Sequence, residues 1–317
     1  MDVLIFVVQQ TMYFSIPLLV VALGAMFSER SGVINIAMEG IMVMGAFCGI
    51  LFINLTSNAG MSGQLQLILA ILISVGSGIL FSLFHAYASI NMKADQTISG
   101  TALNMFAPAF AIFVARVIQG VQQVQFINSF RVNVPVLKDI PVIGPMFFQN
   151  AYITTYLGFL ILIVSTFVLY KTRFGLRLRS CGENPQASDA AGINVYRMQY
   201  AGVMISGALA GLGGLIFVIP TSVNFNADVA GYGFLAIAVL IFGQWHPIKI
   251  LGASLFFGIM KAVSASYSGI PFLASLGIPS YFYKMFPYII TLIVLIFTSK
   301  NSQAPKAEGK PFDKGQR

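Results

Sequence analysis

Runs of about twenty apolar residues recur along almost the whole of this chain, and they leave few folds open. That length matches the rise of an α-helix across a hydrocarbon core. Strands of a membrane barrel would alternate over roughly ten residues instead, and "LILAILISVGSGILFSLF" and "TTYLGFLILIVSTFVLY" do not alternate. A helix satisfies its own backbone hydrogen bonds in lipid, so the sequence predicts an all-α, polytopic membrane bundle. Only 9% of the 317 residues are charged, against roughly 25% in a soluble domain.

Length and hydropathy predict about nine spans, near 3–27, 36–54, 65–90, 97–116, 152–170, 198–220, 231–244, 249–268 and 285–299. The seventh is short for a crossing. These make one membrane domain over 1–299. The polar tail 300–317, punctuated by Pro and Gly, is expected to be disordered. The N-terminus "MDVLIFVVQQ" has no basic n-region, so the first span is expected to remain in place. Cys48 and Cys181 read as free thiols.

Basic residues set the orientation. Lys171, Arg173, Arg177, Arg179 and Arg197 cluster around one polar segment, and Lys300, Lys306, Lys310, Lys314 and Arg317 sit in the tail. Both regions should be cytoplasmic, which places the N-terminus outside. The net charge of +8 therefore reads as loop charge on a membrane protein and not as a nucleic-acid surface. The longest outside segment, 117–151, carries Pro135, Pro141 and Pro145, which break a continuous helix. It is either a cap on the bundle or a docking surface.

Polar residues stand where lipid or bundle interior is expected. Asn35 and Glu39, four apart at the start of the second span, would share one helical face, and Gly32 and Gly40 around them permit a broken helix. A carboxylate there faces protein, water or headgroups. It either serves a solute path or sits at the interface. Gln96, Thr97, Ser99 and Asn104 enter the fourth span, where some would cap the helix and others line a wet route. Gly202, Ser206, Ala210 and Gly214 recur every four residues in the sixth span, the mark of close helix packing. Tyr232 between two glycines is expected to anchor at the interface. His85 reads as a packed or interfacial histidine. Arg116, Lys261 and Lys284 fall near span ends, leaving few charges mid-span for ion relays.

One polar segment between spans is well punctuated. In "GENPQASDAAGINV", Asn184 is a good N-cap, Pro185 fits the first helical position, and Gly192 suits a left-handed C′. The helix between them is about two turns, too short to stand alone in water. A partner protein or the lipid surface must hold it. No phosphate-binding G-x-x-x-x-G-K-[ST] occurs, nor a catalytic constellation, so an enzyme is not expected.

These stretches resemble permease subunits of bacterial ABC importers. "GENPQASDAAGINV" after "KTRFGLRLRS" is similar to the cytoplasmic coupling-helix region of the ribose/branched-chain amino acid permease family. "SGVINIAMEG" and "KADQTISGTALNMFA" look like its nucleoside-type branch, and "GYGFLAIAVLIFGQWHPIK" resembles its late Gly-rich hairpin. The resemblance implies a type II importer fold and one of two related permease chains, with cytoplasmic ATPase subunits binding ATP and Mg. It also implies an extracellular binding lipoprotein that delivers a solute, a nucleoside before a simple sugar or branched-chain amino acid. By that analogy Glu183, Asn184, Pro185, Ala187, Ala190 and Gly192 would meet the ATPase. Polarity and position, not the family pattern, put Asn35, Glu39, Gln96, Thr97 and Asn104 on the solute path. An ion-coupled carrier and an uncoupled channel or scaffold are the rival classes.

Overall fold

The computed structural model describes residues 2–57, 61–126, 130–135, 137–141, 143–267 and 303–315, with isolated positions between 275 and 292. Its helices are α1 (Asp2–Glu29), α2 (Met38–Leu55), α3 (Gly63–Ala86), α4 (Gln96–Gln119), α5 (Ile153–Lys171), α6 (Arg173–Glu183), α7 (Pro185–Ala190), α8 (Val195–Thr221), α9 (Tyr232–Phe242) and α10 (Pro247–Ser266). Seven of these, α1–α5, α8 and α10, are long and apolar enough to cross a bilayer. The expected span at 231–244 is α9, whose 11 residues make a rod of roughly 16 Å, about half a crossing. The expected span at 285–299 lies outside the described residues apart from a few positions, and Lys284 lies outside them too.

Local chemistry sets the helix ends. Ser62 accepts from the Leu65 N–H to start α3, Asp95 accepts from Thr97 and Ile98 to start α4, and Asn194 accepts from Arg197 to start α8. Gly120 closes α4 in the left-handed region.

Helix α8 forms the centre, packed against α1, α2 and α3. Its small residues allow backbones to touch. A Cβ on Gly211 would lie 2.9 Å from Gly78 Cα and closer still to Ser74 O. The four-residue repeat is thus a packing device, as expected of such faces.

At the end of the bundle remote from α6 and α7, the described parts of the Pro-containing segment pack as a cap. Strand β1 (Val124–Gln125) pairs antiparallel with β4 (Asn224–Phe225), and β2 (Arg131–Val132) with β3 (Ala151–Tyr152). Gln9 donates to Pro145 O at 2.6 Å and Tyr13 to Asn150 O at 3.1 Å, tying the cap to α1.

Residues 303–315 of the tail, where composition leads to an expectation of disorder, pack against the bundle. Pro305, Ala307 and Phe312 are buried. Ala307 N–H donates to Gly182 O at 2.9 Å and Gly309 N–H to Gly32 O at 3.1 Å. Composition misleads here because the anchors are backbone groups and one aromatic ring. Helix α6 is a second departure. Its arginines read as loop charges, yet Gly175, Leu178, Cys181 and Gly182 form a buried face on it. Cys48 and Cys181 are free.

Candidate functional site

Between α1 and α2 the chain runs through residues 30–37 without helical structure, and Ser31, Val33, Asn35 and Ala37 are buried there. Backbone of this kind is tolerated at depth only where protein supplies its hydrogen bonds. Helices α3 and α4 supply them. His85 Nε2–H donates to Ile34 O at 2.8 Å, leaving Nδ1 to accept from the Ser99 hydroxyl at 3.1 Å. Gln96 Oε1 accepts from Ile34 N–H at 2.7 Å. Asn104 accepts from Gly40 N–H at 2.7 Å and donates to Ile36 O at 2.8 Å. Asn35 Nδ2 donates to Ser206 Oγ on α8 at 3.0 Å. Its Oδ1 is buried and has no hydrogen-bond partner among the described residues. Ser206 lies roughly 16 Å along α8 from Val195 at 1.5 Å per residue, so the junction sits near mid-height of the bundle.

Asn104→Leu is expected to destabilise the chain by about 2–5 kcal/mol, because it strips partners from two inward-facing backbone groups. Thermal unfolding in detergent, with Thr101→Val as an exposed control, checks this.

Glu39 joins the same junction to α9. Its Oε1 accepts from Gly231 N–H at 2.8 Å and its Oε2 from Gly233 N–H at 2.6 Å. The Phe234 N–H is also directed at it. These are the orphan donors of a helix N-terminus, which carries partial positive charge. Glu39 therefore caps a half-helix that starts inside the bundle. Tyr232 is not the interfacial anchor expected from its sequence setting. It is buried, with its ring centre 4.0 Å from that of Phe217. Aromatics beside polar segments usually mark the interface, but here the polar segment descends into the bundle. Lys261, expected near a span end, reaches over this ring at 5.6 Å.

The structure thus gathers Asn35, Glu39, Gln96 and Asn104 around one helix break. Thr97 stands apart, exposed in the first turn of α4 with its N–H on Asp95. His85 and Ser206 belong to the junction as well, beyond the packing role that their sequence positions suggest. The partners that bring them to the junction, Ile34 O for His85 and the Asn35 amide for Ser206, lie far along the chain and leave no local signal.

The second predicted set forms a distinct surface at the α6–α7 end. Asn184 Oδ1 accepts from Ala187 N–H at 3.0 Å as N-cap, and Pro185 opens α7. Gly192 adopts φ +81° and, with Ile193, returns hydrogen bonds to Asp189 O and Ser188 O. Glu183, Asn184, Ala187, Ala190 and Gly192 are exposed while Pro185 is buried. A shallow groove of about 290 Å³ runs beside Glu183, Asn184 and Ala187. Arg30, at the end of α1, reaches Glu183 at 3.8 Å.

Comparison with known proteins places this geometry in context. Residues 7–295 match the family model described as the permease component of a branched-chain amino acid transport system. The chain is 44% identical to the guanosine ABC transporter permease protein NupQ of Bacillus subtilis, over all of this chain and 99% of that one. It is 43% identical to the nucleoside ABC transporter permease protein NupC of Lactococcus lactis, over 98% and 97% of the two chains. A second Lactococcus lactis protein, nucleoside ABC transporter permease protein NupB, is 25% identical over 92% of this chain and 80% of its own. No solved structure gives a significant match.

Proposed function

The chain belongs to the branched-chain amino acid transport system permease family, and from that premise we propose that its ABC importer carries nucleosides. A permease of this kind is a multi-pass membrane subunit and is not itself the ATPase. The observation that carries the substrate class is the 43–44% identity to two nucleoside-type permeases over essentially the full chain. The chain takes ATP-derived work from cytoplasmic ATPase subunits and solute from an extracellular binding lipoprotein. A second, related permease completes the pathway. The two nucleoside permeases of Lactococcus lactis, both similar to this chain, favour such a pair.

In this reading the α6–α7 end faces the cytoplasm of a bacterial inner membrane, in keeping with its arginines. Glu183, Asn184, Pro185, Ala187, Ala190 and Gly192 form the patch on which an ATPase subunit docks. A helix of 6 residues held by its caps and by α6 makes a compact handle. The break at 30–37 and the half-helix α9 form the movable part of the path, a broken-helix arrangement that membrane carriers use near mid-depth. Asn35, Glu39, Gln96 and Asn104 organise it, and Thr97 lies outside it. Both Glu39 oxygens are taken by backbone amides, which argues against a proton-relay carboxylate and hence against an ion-coupled carrier.

Gly192→Val tests the handle. A β-branched residue is strained at φ +81°, while nothing lies within 4 Å of the position for its side chain to strike. Assembly and basal ATP hydrolysis should persist while uptake falls about tenfold. Uptake equal to that of the unaltered complex would remove α7 from the coupling role.

A further inference from the structure

We propose that residues 303–313 act as a strap that carries movement of the α6–α7 elbow to the break between α1 and α2. The proposal rests on the reading of α6–α7 as the place where the ATPase acts. It assigns a coupling role to a segment whose composition suggests none.

The strap joins two elements within three residues. Ala307 N–H holds Gly182 O, in the last turn of α6, at 2.9 Å, and Gly309 N–H holds Gly32 O, inside the break, at 3.1 Å. Gly32 leads directly to Ile34 and Ile36, whose backbone groups are gripped by His85, Gln96 and Asn104. A shift of α6 is thus passed through one short piece of chain to the junction that contains Asn35 and adjoins Glu39.

The ends of the strap are pinned. Gln303 N–H donates to Gln244 Oε1 at 3.1 Å in the turn between α9 and α10. Glu308 lies beside Glu29, which accepts from the Trp245 indole at 2.5 Å. At the other end Phe312 is 4% exposed, packed with Cys181 and Val195 and tilted against Tyr196 at 5.4 Å. Asp313 pairs with Lys93 at 2.8 Å, in the turn between α3 and α4. Exposed ion pairs add little. The burial of Phe312 and the two backbone hydrogen bonds do most to seat the segment.

A segment that merely decorated the surface would touch one element. This one links the elbow to the break and reaches the α3–α4 and α9–α10 turns. It can therefore make them move as a unit.

The test uses the full complex of this chain with its partner permease and ATPase subunits in proteoliposomes, comparing the unaltered chain, a deletion of 303–317, and Phe312→Ala. With the deletion, the ATPase should still co-purify and ATP hydrolysis should stay within about twofold, while solute imported per ATP falls about tenfold. Phe312→Ala should give a smaller loss in the same direction. An unchanged ratio in both variants overturns the strap. So does loss of ATPase binding in both, which would make the segment a docking element. A failed assembly of both variants would make it a folding element and overturn the proposal as well. Hydrogen exchange on the purified chain supplies a readout that needs no solute. Amides over 29–36 should exchange faster in both variants, and unchanged exchange there counts against the strap. An unaltered complex that imports nothing with ATP would contradict the function and leave the exchange result to judge the strap.

Discussion

Replacing Glu39 with Ala is expected to cut solute uptake roughly 100-fold or more, the largest effect of any side-chain truncation in the junction. The carboxylate makes two charge-assisted hydrogen bonds, at 2.8 and 2.6 Å, to amides at the start of α9. Such bonds contribute about 1.5–3 kcal/mol each, and the helix N-terminus adds to them. Without them α9 begins inside the bundle with its first amides unmet, a costly state away from water. Glu39→Gln keeps one acceptor oxygen and turns an amino group toward a backbone N–H, so an intermediate loss is expected. Uptake by purified, reconstituted complexes, normalised to assembled protein, measures both. Glu39→Ala within threefold of the unaltered chain would mean that the seating of α9 is irrelevant to transport.

Gly211→Val is expected to abolish assembly. Position 211 faces the backbone of α3 on one side and Gly45 of α2 on another. Overpacking a core costs typically about 1–3 kcal/mol when side chains can yield. Here the obstructing atoms are backbone of α3, so α3 would have to separate from α8 along its length. Helix α8 is the most buried of the crossing helices, 78% over its apolar window, which leaves no room for that shift. Gly252→Val provides the contrast. That glycine is exposed on α10, with nothing within 4 Å of where a Cβ would stand, and the change should leave membrane levels unaltered. Quantifying membrane-inserted, detergent-stable protein for the pair tests the argument. Normal levels of Gly211→Val would show that α3 and α8 do not meet as described.

Hydropathy alone locates the crossing helices, because a span of lipid demands a fixed length of apolar helix. The capped helix α7 is legible too, since Asn184, Pro185 and Gly192 act on their own neighbours in sequence. What stays hidden depends on distant partners. Gln96 and Asn104 are visible as polar residues entering a span, but their role follows from the backbone of Ile34, Ile36 and Gly40, more than sixty residues away. Glu39 stands out as a carboxylate in an apolar region, yet its ligands are amides about 190 residues on. The same reason explains Tyr232, whose buried setting follows from a chain segment that enters the bundle before turning helical. The tail defeats a composition argument because Phe312 and a few backbone donors suffice to seat a polar stretch.

In the proposed account, ATPase work enters this importer subunit at α6–α7 and reaches the path at the α1–α2 break and α9. Uptake of labelled guanosine into proteoliposomes bearing the full complex, its ATPase subunits and its binding protein tests that account most directly. The account predicts uptake that requires ATP and Mg on the ATPase side, survives a protonophore, and is competed by other nucleosides but not by ribose or leucine. Uptake that persists without ATP and collapses with the proton gradient would contradict it.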